Sequence, residues 1–473
     1  MQADRTDAAG HWPSPARAHY ALGILILALT FSFIDRTILA MLVTPIKKDL
    51  DLSDTQVSLL QGFAFVMLYV VMGFPLGRLI DRRSRRSLAA MGILLWSLMT
   101  AACGLAHSFV MLGTARMGVG IGEAVLSPAA YSLIADYYRP AQRARALAMF
   151  SLGALGGASL AYFVGGAVIA FAHGGPETVV PVLGGLAPWR LTFIAVGLPG
   201  VIVALLMFTV TEPPRHGLGS GSKCSATTQV ISSDTTPTLF TFVRANRATL
   251  ASYLLGYGLL NMPFSAIIAW GPSYFSRVHG FTPRQTGLTL GLCFLFAGAV
   301  GQFVGAFLSD RGVARGVRTA AFRTAIACSA ALTLVGFFAP IASSVSWNIT
   351  LTGGIILLAS AAIAHAPSVI PLIAPNGIRG QVSAVYLLGI NLIGSALAPT
   401  LIALLTDYVF RDQQAIGWSM AIVSGLGAAG ACLSFWLGLG PLTRSIAANT
   451  NGTGTSYRDG ALPLTAEGVT SSR

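Results

Sequence analysis

TARMGVGIGEAVLSPAAYSLIAD, running from Thr114 to Asp136, sets two charges, Arg116 and Glu123, inside a segment otherwise apolar enough to cross a bilayer. An ionisable side chain at the membrane centre costs about 2.5–3.5 kcal/mol even on lenient scales, so a charge there implies a role. On a helix of 3.6 residues per turn the two share one face and stand roughly 10 Å apart along the axis. Gly118, Gly120 and Gly122 lie between them and thin the helix where another helix or a ligand approaches closely. The comparable break is Asp35-Arg36, in FSFIDRTILA of the first hydrophobic run. Two acids and two arginines therefore share the membrane interior and are taken as the working parts.

The rest of the composition fits that setting. Of 473 residues, 54% are hydrophobic and 10% charged, and the mean hydropathy is +0.70, which excludes a soluble core and indicates a polytopic membrane protein. The net charge of +13 does not indicate nucleic acid, because the basic residues sit in short loops between apolar runs, the pattern of the positive-inside rule. Cys103, Cys224, Cys293, Cys328 and Cys432 are scattered, with no CxxC pair and no histidine at ligand spacing, so no metal site, cofactor or disulfide framework is expected. Neither a Walker A loop nor an HExxH or GxSxG motif occurs, which speaks against an enzyme or an ATP-driven pump.

Spanning runs are predicted at about 20–42, 57–79, 87–106, 109–134, 144–171, 190–210, 248–274, 285–309, 319–340, 347–373, 379–406 and 416–440. Arginine accumulates in every second loop, which puts both termini in the cytoplasm of a multi-pass protein of an inner or plasma membrane. The expected organisation is a cytoplasmic tail over 1–18, a bundle over 19–210, a Pro/Gly/Ser/Thr-rich linker over 211–247, a second bundle over 248–440 and a disordered tail over 441–473. Pro263, Pro272, Pro367 and Pro399 are expected to kink their helices.

The two halves repeat. Ser53-x-x-Gln56 recurs as Thr282-x-x-Gln285, a capping box before an apolar run in each half. Gly62 maps on Gly291, and Asp81-Arg82 on Asp310-Arg311, at the same offset. Arg143, Phe150 and Gly153 echo Arg379, Tyr386 and Gly389 at a slightly longer one. Duplicated six-helix halves are the plan of a rocking secondary transporter with its site near the midplane between them.

These motifs resemble those of the major facilitator superfamily. Gly77-Arg-Leu-Ile-Asp81-Arg82-Arg-Ser-Arg85-Arg86 is similar to its signature between the second and third helices, with Ser84 in place of the usual glycine, and Arg116-Met-Gly-Val-Gly120 is similar to its fourth-helix motif. Asp35-Arg36 together with Gly120-x-Gly122-Glu123-Ala124 and Pro128 resembles the Spinster group, whose members move lipids and lysolipids. The resemblance implies an all-α membrane protein of twelve transmembrane helices in two pseudo-symmetric six-helix bundles, the major facilitator fold. It also implies a cavity lined by helices 1, 4, 7 and 10, and proton coupling through the acids and arginines of helices 1 and 4. The fifth-helix antiporter signature, which ends in Gly-Pro, is not met.

Depth along the helices places Asp35 and Arg116 at nearly one level, so an Asp35–Arg116 ion pair is expected, with Glu123 roughly 10 Å deeper. A carboxylate without a partner in apolar surroundings is the better proton carrier, which assigns Glu123 to coupling with Asp35, Arg36 and Arg116. In the competing reading the four charges only pin the first helix to the fourth. Candidate substrate contacts are Arg36, Arg116, Glu123, Asn261, Trp270, His365 and Asn391, with Gln302 on the eighth helix as a further polar residue. The gate is assigned to Gly77, Asp81, Arg82, Arg85, Arg86, Asp136, Arg139, Arg143, Asp310 and Arg311. Charge in one half facing an apolar other half suits an amphipathic lipid-like substrate moved with protons by a monomer among membrane lipids; small organic anions or drugs are the rival substrates, and an uncoupled facilitator is the rival mechanism.

Overall fold

The computed structural model describes residues 12–173, 178–180, 184–215, 239–375 and 378–452. Among them, twelve helices are long and apolar enough to cross a membrane. In the first half they are α1 (Pro15–Met41), α2 (Asp54–Gly73), α3 (Arg85–Cys103), α4 (Phe109–Tyr137), α5 (Arg145–Ala170) and α6 (Pro188–Thr209). In the second they are α7 (Arg247–His279), α8 (Pro283–Ala314), α9 (Ala320–Ile341), α10 (Val345–Ile373), α11 (Arg379–Phe410) and α12 (Gln413–Asn449). The start of α1 and the end of α12 lie on one face of the bundle, called here the terminal face.

The internal repeat reappears in the three-dimensional structure. Ser53 and Gln56 close a reciprocal capping box at the start of α2, and Thr282 and Gln285 close the same box at the start of α8. Arg143 Nε donates to the carbonyl of Tyr138 at 3.0 Å, and Arg379 Nε donates to that of Ala374 at 3.0 Å, five residues back in both halves.

Three features depart from the sequence expectation. A short antiparallel hairpin, β1 (Thr178–Val180) with β2 (Gly184–Leu186), stands between α5 and α6. A helix, Leu239–Ala245, occupies the end of the stretch assigned to the linker and buries Phe242; residues 216–238 lie outside the described residues. The last helix runs on to Gly452 with Pro441 inside it, because Leu442 and Ile446 are buried and keep the chain packed; the remainder of the predicted tail, 453–473, lies outside the described residues.

The prolines act in different ways. Pro263 and Pro272 sit within the continuous α7. Pro367 lies in a 3₁₀ turn, Ala366–Val369, that interrupts α10. Helices α2 and α11 also widen, into i→i+5 turns at Leu59–Phe63 and Ile390–Leu397, a local irregularity that frequently marks functional sites; Pro399 follows the second of these. Gly62 lies in the first widened turn. A β-carbon there would stand 2.9 Å from the Ala396 backbone, so only glycine lets α2 and α11 meet this closely.

Candidate functional site

Side chains on a helix tilt back toward its N-terminus. The long Arg36 side chain therefore runs back along α1 to the level of Ser32, and there it meets Glu123 of α4. Arg36 Nε donates to Glu123 Oε2 in an ion pair whose carboxylate is buried, and Ser32 Oγ donates to the same oxygen at 2.7 Å. The guanidinium is held on three aromatic faces, 5.3 Å from Phe33, 4.6 Å from Phe65 and 4.9 Å from Tyr69, each such contact worth about 0.5–2 kcal/mol.

The expected Asp35–Arg116 ion pair is not what forms. Arg116 Nη1 donates to the backbone carbonyl of Asp35 at 3.0 Å, and Asp35 Oδ1 is buried without a hydrogen-bond partner. Depth fixes level but not direction around the helix: successive residues are turned by about 100°, so Asp35 and its neighbour Arg36 point to different sides of α1. Helix α4 reaches this position through its glycines, since a β-carbon on Gly120 would stand 2.5 Å from the Phe65 carbonyl.

A cavity of about 120 Å³ opens beside these charges, between the halves. Arg36 and Arg116 line it from the first half with Gln61 and Phe65, and Ser265, Asn391 and Ser395 from the second. Gln61 is carried by the widened turn of α2, and Asn391 and Ser395 by that of α11. Asp35 and Glu123 are not on its surface; the Glu123 side chain is 0% exposed and Arg36, at 23%, screens it. The cavity is thus framed by α1, α2, α4, α7 and α11 rather than by the expected helices 1, 4, 7 and 10.

The other predicted contacts divide. Asn261 stands behind the wall, bonded to Ser265 Oγ at 3.2 Å and near Ser395 Oγ at 3.4 Å. Trp270 is buried, with Nε1 donating to Pro399 O at 3.0 Å. His365 bonds through Nε2 to the Ala321 carbonyl at 3.1 Å, because the break in α10 turns it against α9. Neither Trp270 nor His365 lines the cavity. Gln61, Ser265 and Ser395 were missed, although Gln61 is a polar residue within an apolar run and could have been singled out on that ground.

At the terminal face the predicted gate residues gather into a network within the first half. Arg85 pairs with Asp136 of α4 and, at 2.8 Å, with Glu212 beyond α6. Glu212 also accepts from the backbone of Arg86 at 2.9 Å and from Ser84 Oγ at 2.9 Å. Burial alone would raise its pKa, but the Arg85 bond and these further donors hold the Glu212 carboxyl below the usual range. Glu212 was not foreseen. Arg82, Asp310 and Arg311 are exposed, and Gly77 has open space where a β-carbon would stand; the Asp81 side chain lies outside the described residues.

The halves are tied together on the opposite face. Arg277, at the end of α7, grips Asp54 with Nη1 at 2.6 Å and Nη2 at 2.8 Å, and Lys47 joins the same carboxylate. Asp407 of α11 accepts from the backbone N–H and the hydroxyl of Thr55, both at 2.7 Å. Nearer the cavity, Gln61 donates to Ala269 O at 3.2 Å and Ser159 to Gly291 O at 2.7 Å. Asp54, Arg277 and Asp407 had not been identified as partners.

The sequence profile of the Major Facilitator Superfamily matches residues 25–399. The chain belongs to the Major Facilitator Superfamily. Among curated relatives of this facilitator, an "MFS-type efflux pump" of Mycolicibacterium smegmatis is 29% identical over 63% of this chain and 63% of its own length. A "Probable L-galactonate transporter" of Escherichia coli is 26% identical over 67% of this chain and 68% of its own. "Protein spinster homolog 1" of Xenopus tropicalis is 30% identical over 56% of this chain and 48% of its own. The chain therefore spans between about half and two thirds of the length of these relatives. A crystal structure of a bacterial homologue of the human lysosomal transporter Spinster, described as inward-facing and unoccupied, has 26% identity and a TM-score of 0.69, covering 93% of this chain and 96% of that one. The facilitator is accordingly an integral multi-pass membrane protein and a transporter rather than an enzyme.

Proposed function

We propose that this facilitator is a proton-coupled secondary transporter working by alternating access, with an amphipathic lipid-like substrate such as a lysolipid or sphingoid compound. One observation carries the coupling: Arg36 is a single side chain that touches both the cavity and the hidden Glu123. A proton arriving on Glu123 removes the counter-charge of Arg36, which then needs an anion from the cavity side. Substrate carrying an anionic head supplies it, so proton and anion bind together. Asp35, whose buried Oδ1 has no hydrogen-bond partner, is the second candidate for carrying a proton.

The lipid-like reading is supported by cavity walls in which Phe33, Phe65 and Ile268 stand beside the polar groups, and by the full-length likeness to a bacterial Spinster homologue. The second reading, a small organic anion, is favoured by the cavity's 120 Å³ and by the relative named for L-galactonate. The latch of Asp54 and Arg277, taken with the arginine-rich loops of the terminal face, fits a molecule shut toward the outside and poised toward the cytoplasm.

Purified protein in vesicles with an imposed pH gradient tests this. Accumulation of a lysophospholipid that collapses with a protonophore is the expected result. Accumulation of a sugar acid alone would replace the substrate, and gradient-independent flux would remove the coupling.

A further inference from the structure

A second and larger cavity, of about 580 Å³, lies away from the transport pathway. It opens at the terminal face where the chain before α1, the first turn of α1 and the junction of α4 with α5 come together. Its wall includes Trp12, His19, Tyr138, Arg139 and Arg145, and no acidic residue among the described residues. Arg139 and Arg145 are exposed, and neither side chain has a hydrogen bond or ion pair among the described residues. Their neighbour Asp136 is committed to Arg85. Among the described residues the charge of this wall is therefore positive.

The wall is also built. Arg143 sits behind it, stacking on Trp12 at 5.8 Å and donating to the Tyr138 carbonyl at 3.0 Å, so one guanidinium positions two wall residues. His19 packs edge-on against the Tyr138 ring at 6.1 Å. Tyr138 is only 8% exposed, and its hydroxyl is buried with no hydrogen-bond partner. An orphaned buried donor costs about 1–3 kcal/mol, and here it belongs to a side chain that lines a basic cavity.

Depth decides what kind of anion would come. The lining residues stand at the ends of α1, α4 and α5, the level of lipid headgroups, where tryptophan and tyrosine concentrate. Above them the wall turns apolar at Leu22, Ala146 and Met149, along the direction an acyl chain takes. A phosphodiester offers several acceptor oxygens to two arginines and a tyrosine hydroxyl, and arginine recognises phosphate through paired donors. We infer that this cavity binds the phosphate headgroup of an anionic glycerophospholipid, with Arg139, Arg145 and Tyr138 as its ligands.

The test uses the full chain in detergent, with dioleoyl phosphatidylglycerol and dioleoyl phosphatidylcholine as probes, read by native mass spectrometry and by thermal shift. Wild-type protein is expected to retain the anionic lipid about tenfold more tightly than the zwitterionic one. The Arg139→Ala, Arg145→Ala pair should erase that preference, while Arg318→Ala with Arg323→Ala should keep it. Tyr138→Phe should leave the lipid-free melting temperature unchanged or higher, because the orphaned hydroxyl is gone, yet weaken the anionic lipid several-fold. Equal retention of both lipids by wild type, or an unchanged preference in the Arg139, Arg145 pair, would overturn the inference. Displacement of the lipid by millimolar inorganic phosphate would reassign the site to a soluble phosphate compound. An equal loss in the Arg318, Arg323 pair would reduce the effect to general surface charge.

Discussion

Arg36 is paired with Glu123 across α1 and α4, while its sequence neighbour Asp35 keeps a buried oxygen without a partner. Glu123→Gln retains shape and the Ser32 contact but takes away the charge that Arg36 answers. The variant should fold, bind substrate within a few-fold of wild type, and lose accumulation driven by a pH gradient. Uptake into vesicles with and without the gradient checks this, and undiminished gradient-driven uptake would take Glu123 out of the coupling.

Asp35→Asn tests the other acid. Replacing a carboxylate whose Oδ1 is unsatisfied costs no hydrogen bond at that atom, and removes a charge that burial penalises. Its melting temperature should stay level or rise, in contrast to the usual loss of about 1 kcal/mol for a point change. Transport rate should become less dependent on pH. A large drop in stability would show instead that the charge itself holds α1 in place.

What could be read from the residues alone was whatever is local. Hydropathy located twelve spans, and the capping boxes at Ser53 and Thr282 fixed where α2 and α8 begin, because a cap is written within four residues. The level of Asp35 and Arg116 was likewise legible from helical rise. Their pairing was not, since one residue's difference turns a side chain by about 100° around the axis, and so Arg36 rather than Asp35 entered the charge network. Asp54 with Arg277, and Arg85 with Glu212, join segments far apart in the chain. No spacing rule reaches that distance, and so the latch between the halves came only from the fold.

The network at Glu212 carries a pH signature. Its carboxyl is held below the ordinary glutamate range, after opposing burial, by Arg85 and the donors at Ser84 and Arg86. A lowered carboxyl contributes stability that is complete above its unfolded pKa, about 4.3, and is lost as pH falls through the lower folded value. Glu212→Gln should therefore lower the melting temperature at neutral pH, with the gap to wild type closing as the medium is acidified below that range. Thermal unfolding of both proteins across pH measures it; a gap that stays constant into acid would mean that shape, not charge, is what Glu212 supplies.

Arg277→Ala addresses the latch between the halves. Asp54 is fully buried, and removing a partner from a buried pair costs about 3–5 kcal/mol, here softened because Lys47 remains. The cost falls only on the state in which the two faces touch, so the population should shift toward the state open on that face. A single cysteine placed at Thr55 should then label faster with a membrane-impermeant thiol reagent. Gly62→Val should act in the same direction by a different cause, since its side chain would press into the backbone of Ala396. The charge-swapped pair Asp54→Arg with Arg277→Asp should recover part of the slow labelling, while Gly62→Val should not respond to it. Unchanged labelling in Arg277→Ala would mean that the ion pair decorates the closed face without holding it shut.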